Sequence, residues 1–180
     1  MKLGLKLLIH WPRFGPYHLA RLRAVQSEAQ RLGASLIGFE ISSRDKTYQW
    51  REEASNDFER QIVFPGRVRE EIGKIELWRG IFSRLDQLKP DVVAVNGYSA
   101  PDAIAVLAWC RLNRVPAILM TESKADDAPR SRWKENLKRR TVAQFSACLC
   151  GGTPHKAYVE QLGMAPQRVF TGYDAVDNDY

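Results

Sequence analysis

Apolar and polar positions along this chain follow two periods that take turns. Leu5–His10 is a continuous apolar run and reads as a central strand, and Trp11-Pro12-Arg13-Phe14-Gly15-Pro16 breaks it. From Tyr17 to Leu32, apolar residues stand at Leu19, Leu22, Val25, Ala29 and Leu32, a helical spacing that Gly33 stops. Ser35–Ile41 is a second strand. Ser42 to Gln61 has no clear period and reads as a loop, with room for a short helix. Ile62-Val63-Phe64 is a short third strand ended by Pro65-Gly66, and Arg67–Leu88 follows as a long amphipathic helix. Val92–Asn96 is the next strand, then helix Asp102–Asn113 with Pro101 near its first turn. Val115–Thr121 is a strand, Ser131–Gln144 a basic helix, and Ala147–Cys150 a sixth strand. Thr153 caps and Pro154 opens a helix to Leu162; Gly163 ends it, and Gln167–Gly172 is the seventh strand.

Strands that alternate with helices must pair in parallel through right-handed crossovers. The predicted fold is therefore α/β, a Rossmann-like three-layer sandwich with a mostly parallel, seven-stranded sheet. Residues 1–172 form that domain. The polar segment from Tyr173 to Tyr180 reads as the start of an interdomain linker, so the chain is expected to be the first half of a two-domain protein.

Composition narrows the class. A hydrophobic fraction of 44% and a charged fraction of 27% are those of an ordinary soluble protein. No apolar run reaches the roughly 18 residues of a spanning helix. The apolar N-terminus is too short for a signal peptide and lacks a small-residue cleavage site. Cys110, Cys148 and Cys150 lie on apolar patterns and read as buried free thiols of a cytoplasmic protein. Cys148-x-Cys150 reads as alternating faces on its strand and as a poor metal site.

The net charge of +6 is unevenly spread: Arg130, Arg132, Lys134, Lys138, Arg139 and Arg140 stand against the single acid Glu135. A solvated helix face explains that run; so does an anion-binding face for a membrane surface, a phosphorylated ligand or nucleic acid. Nucleic acid ranks low, because Trp133 is the only aromatic from Arg130 to Arg140.

In open α/β sheets, ligands bind in the loops beyond the strand carboxyl ends. Trp11–Tyr17 has no G-x-G-x-x-G, and Gly15 is its only glycine. It can still offer backbone N–H groups to an anion, with His18 one turn on. Tyr98 and Ser99 offer an aromatic face and a hydroxyl to a sugar ring, or Ser99 or Asp102 simply caps the next helix. Thr121–Arg130 is the densest polar loop. There Glu122 can accept a hydroxyl proton, Ser123 can hydrogen-bond, and Lys124 and Arg130 can hold a phosphate. Gly151-Gly152-Thr153-Pro154-His155 permits close backbone approach, or is a tight turn. There is no metal-ligand spacing, Gly-x-Ser-x-Gly elbow or Walker loop.

The order of elements, the Glu122-Ser123-Lys124 loop, the basic helix after it, and the ending Gly172-Tyr173-Asp174-Ala175-Val176-Asp177-Asn178-Asp179-Tyr180 resemble the N-terminal domain of GT-B glycosyltransferases. The nearest likeness is to the retaining group 1 (family 4) enzymes of polysaccharide and glycolipid synthesis. The resemblance implies transfer of a sugar from a nucleotide-sugar donor to a sugar or lipid-linked acceptor, with no required metal and no cofactor. It implies that this chain shapes the acceptor site, that a C-terminal domain binds most of the donor, and that the chain alone is inactive. It implies a catalytic role for Glu122, and substrate contacts from Gly15, His18, Tyr98, Ser99, Ser123, Lys124 and Arg130. The basic helix, with Arg132, Lys134, Lys138, Arg139 and Arg140, resembles the positive face by which such enzymes meet the inner face of an anionic membrane. The chain departs from the family where Arg13-Phe14-Gly15-Pro16 replaces a Gly-Gly pair, and where Tyr98 and Glu122 stand in the regions of a frequent histidine. Two other readings stand beside it: a free-standing nucleotide- or anion-binding module, and an acceptor-side subunit of a separate catalytic chain.

Overall fold

In the computed structural model, which describes residues 4–44, 46, 57–127 and 131–173, seven strands form one parallel sheet in the order β3-β2-β1-β4-β5-β6-β7. The expected three-layer α/β architecture is the observed one. The residues group into two compact halves, divided between Val93 and Ala94.

The first half holds β1 (Lys6–Trp11), α1 (Pro16–Arg31), β2 (Ser35–Arg44), β3 (Glu59–Val68) and α2 (Lys74–Leu88). Leu8, Ile9, His10 and Trp11 of β1 are buried, as a central strand requires. β1 pairs with β2 from Lys6↔Ser35 to Trp11↔Glu40. Gly15 is the N-cap of α1, Pro16 its first residue, and Gly33 at φ 67 follows its end.

Two expectations fail in this half, for one reason. Pro65-Gly66 does not end the third strand, and the helix does not start at Arg67. β3 runs on through a bulge: Ser42 pairs with Phe64 but Arg44 with Val68. Gly66 takes up the irregularity at φ 73, and its N–H donates to the Ser43 hydroxyl at 2.9 Å. β3 is a sheet edge, where proline is tolerated. A short 3₁₀ turn over Arg69–Glu71 and Gly73 as N-cap then delay α2 to Lys74. The part of Ser42–Gln61 expected to be loop is strand at both of its described ends.

The second half holds most of β4 (Val92–Asn96), then α3 (Pro101–Asn113), β5 (Ala117–Thr121), α4 (Arg132–Val142), β6 (Ala147–Cys150), α5 (Thr153–Gln161) and β7 (Val169–Thr171). α3 is apolar nearly all round, with Ala103, Ala105, Val106, Leu107, Trp109 and Cys110 buried. Ala100 is its N-cap, so the expected Ser99 or Asp102 cap is corrected; Asp102 lies fully buried in the first turn. Gly152, not Thr153, is the N-cap of α5.

The cysteine geometry also corrects an expectation. Residues two apart on a strand share a face, and Cys148 and Cys150 are both buried on one face of β6. Burial pushes the Cys110 and Cys148 thiols up to about 12.

Candidate functional site

The strand-end loop of the first half is packed rather than open. Trp11, Arg13 and Phe14 are buried. Trp11 meets Phe14 edge-on at 5.9 Å and the His18 ring at 4.9 Å between centroids. The Gly15 N–H donates to His18 Nδ1 at 3.0 Å. A neutral imidazole that accepts at Nδ1 carries its proton on Nε2. Burial, helped by the charge of Arg21, lowers the His18 pKa to about 4, so the ring is neutral near pH 7. Gly15 thus spends its N–H on His18 and has none to offer an anion, while His18 offers a fixed donor.

In the second half, β4 ends at Asn96 and β5 at Thr121. Gly97 turns at φ 76, its N–H bonded to the Met120 carbonyl at 2.8 Å. Tyr98 is buried and Ser99 exposed. Thr121 is buried, and its hydroxyl accepts the Ser123 N–H at 3.1 Å. The Lys124 N–H donates to Asp127 at 2.8 Å, and Lys124 Nζ lies 3.5 Å from Asp126. This side-chain scaffold shapes the loop and leaves Glu122 exposed directly after a buried strand. Arg130 lies outside the described residues. Asn96 donates to the Tyr173 hydroxyl at 2.8 Å, and the Tyr173 N–H donates to the Cys150 carbonyl at 3.1 Å. Tyr173, expected to begin a linker, is thereby tied to two strand ends.

The basic helix divides its charges. Arg132, Lys134, Arg139 and Arg140 are exposed, beside the exposed Trp133 and Leu137. Lys138 differs from the exposed cations in being half-buried. Its ammonium donates to Glu135 at 2.9 Å and to the Tyr158 hydroxyl at 2.9 Å, and Tyr158 donates to the second Glu135 oxygen at 2.9 Å. Burial pulls Lys138 down, but the bonds to Tyr158 and Glu135 and the charges of Tyr98 and Tyr158 outweigh it and hold its pKa above the ordinary value. The i, i+3 spacing of Glu135 and Lys138 was legible in the sequence; the tyrosine beside them was not. Glu40 and Arg60 were missed as well. The signal was a lone acid, Glu40, within the apolar strand pattern Ser35–Ile41.

Among the described residues, no group of three or more His, Cys, Asp or Glu could hold a metal ion, and no helix is long and apolar enough to cross a membrane.

No protein-family model matches the chain, and no curated protein matches it significantly. Solved structures do. The UDP-GlcNAc 2-epimerase of Methanocaldococcus jannaschii is similar at 13% identity and a TM-score of 0.55, over 93% of this chain and 45% of its own. The S. aureus MnaA–UDP structure is similar at 15% identity and 0.63, over 98% and 48%. HepE of Anabaena, solved with UDP and glucose, is similar at 8% identity and 0.59, over 97% and 45%. At such identities the likeness is one of fold alone, an α/β Rossmann-like domain. The chain spans less than half the length of each of these three proteins.

Proposed function

We propose that this chain is the acceptor-side N-terminal half of a two-domain enzyme that transfers a sugar from a nucleotide-sugar to an acceptor hydroxyl, in polysaccharide or glycolipid synthesis. The observation that carries the reading is Glu122, an exposed carboxylate fixed one residue beyond the buried end of β5 on a nucleotide-sugar-type fold. Transfer breaks the bond from the anomeric carbon to the departing phosphate oxygen and forms one to the acceptor oxygen, whose proton must leave. Glu122 is suited to take it. Ser99 and Ser123 supply hydroxyls, Tyr98 an aromatic wall, Lys124 and Arg130 phosphate contacts, and His18 its Nε2 proton. No metal or cofactor is required in this scheme.

Epimerisation is the second reading. Several of the similar structures are UDP-GlcNAc 2-epimerases, and four of the similar structures hold UDP or UDP-GlcNAc. Product analysis of the full-length gene product with UDP- and GDP-sugars separates the two. Free nucleotide with a sugar joined to acceptor means transfer. A changed sugar still attached to its nucleotide means epimerisation. An intact donor under all conditions overturns both.

The exposed Trp133 and Leu137 among four exposed cations fit a peripheral contact with an anionic membrane at its inner face. Co-sedimentation with anionic vesicles tests this. Binding that survives loss of both Arg139 and Arg140 would count against it.

A further inference from the structure

Glu40 has no exposed surface, although it lies in a strand of mainly apolar residues. It stands beside Trp11 in the β1–β2 register, at the root of the strand-end loop. One of its oxygens, Oε2, accepts from Arg60 Nε at 3.1 Å and from an Arg60 Nη at 2.7 Å. Burial pushes the carboxyl up; the charge and hydrogen bonds of Arg60, a hydrogen bond from the Phe14 backbone and the charge of Arg13 oppose it. The Arg60 guanidinium also lies over the Phe14 ring, 5.5 Å from its centroid. Phe14 touches Trp11, and Trp11 touches His18. A continuous path therefore runs from the pair on β2 and β3 to the imidazole on α1. An apolar pair of similar volume would hold the sheet as well, so burial energy does not explain a buried ion pair here. Fixed geometry does.

We propose that Glu40 and Arg60 are positioning residues that lock the loop Trp11–Tyr17 from outside it, so that His18 presents a single proton, on Nε2, to whatever the loop binds. That the loop binds a ligand rests on the function proposed above; the locking does not. The test is ligand-free, so the two can fail separately.

The experiment is ¹⁵N-histidine NMR of the 180-residue chain across pH, with the His18 signals identified by their loss in His18→Gln. In the native chain His18 should be the Nε2–H tautomer and titrate near 4. In Glu40→Gln, and in Arg60→Lys, which keeps the charge but loses the planar fork, the tautomers should mix. The midpoint should then move up by about one pH unit or more toward the ordinary value. An unchanged His18 tautomer and midpoint in variants that are folded by circular dichroism would overturn the proposal. Should Glu40→Gln not fold, Arg60→Lys decides alone; a change of stability without a change at His18 counts against positioning.

Discussion

The ammonium of Lys138 stands 2.9 Å from the phenol oxygen of Tyr158, twenty residues away. Both groups are bonded to the same Glu135 carboxylate. The relationship ties α4 to α5 and withdraws one cation from a helix face that otherwise points to water. Tyr158→Phe removes a hydroxyl that serves both partners, and should cost about 1–2 kcal/mol of stability. Arg139→Ala, on the exposed face, should stay within about 0.5 kcal/mol of the native chain. Urea unfolding of the two variants checks the contrast.

Gly38 tells of a close fit under the first strand-end loop. A Cβ there would meet Phe58 at 2.8 Å and Phe14 at 3.0 Å. Both rings are buried, with little room to give. Gly38→Ala should therefore destabilise by roughly 1–3 kcal/mol through overpacking, measured by thermal or urea unfolding. Gly73, at the start of α2, has open space around it, and its alanine variant is the control.

Much of this was legible in the chain. The alternation of continuous apolar runs with helical spacing foretold seven strands and parallel pairing, because each run must be buried on both faces. Boundaries went astray where tertiary contacts decide them. Pro65-Gly66 is a stop signal by itself, yet Ser43 across the sheet satisfies the Gly66 N–H and lets the strand continue. Lys138 looked like its neighbours in a basic run; only the packing of α5 against α4 brings Tyr158 to it. The exposed positions of Glu122 and Ser99 beyond their strands are legible by position alone, since polar residues at strand ends are visible in sequence. Glu40 and Arg60 were not, because their partnership depends on strand register.

The buried His18 gives stability a pH dependence of definite sign. Its folded pKa is about 4 against an ordinary 6.5. Between those values the unfolded chain binds a proton that the folded chain does not, so stability falls as pH drops from about 6.5 to about 4 and levels off below. The loss should be roughly 3 kcal/mol. Glu40, with its pKa raised, acts oppositely: its contribution is present below the ordinary carboxyl value and is lost as pH rises through the folded one. The native chain compared with His18→Gln isolates the histidine, because Glu40 is common to both. The difference in unfolding free energy should shrink as pH falls through that window.

The three thiols are buried, and burial holds those of Cys110 and Cys148 near 12. Thiolate is the reactive form, so the folded chain at pH 8 should resist a thiol-labelling reagent. All three cysteines should label together in denaturant. Rapid labelling of the native chain would mean that β6 and α3 open locally far more easily than their burial implies.

Nucleotide-sugar turnover by the two-domain protein proposed above, compared with its Glu122→Gln variant and with the 180-residue chain alone, tests the role of Glu122. The two-domain protein should consume a UDP- or GDP-sugar, Glu122→Gln should lower turnover on the order of 100-fold or more with the fold intact, and the chain alone should turn over none. A two-domain protein that is folded and consumes no nucleotide-sugar would contradict that role, and so would turnover that Glu122→Gln leaves untouched.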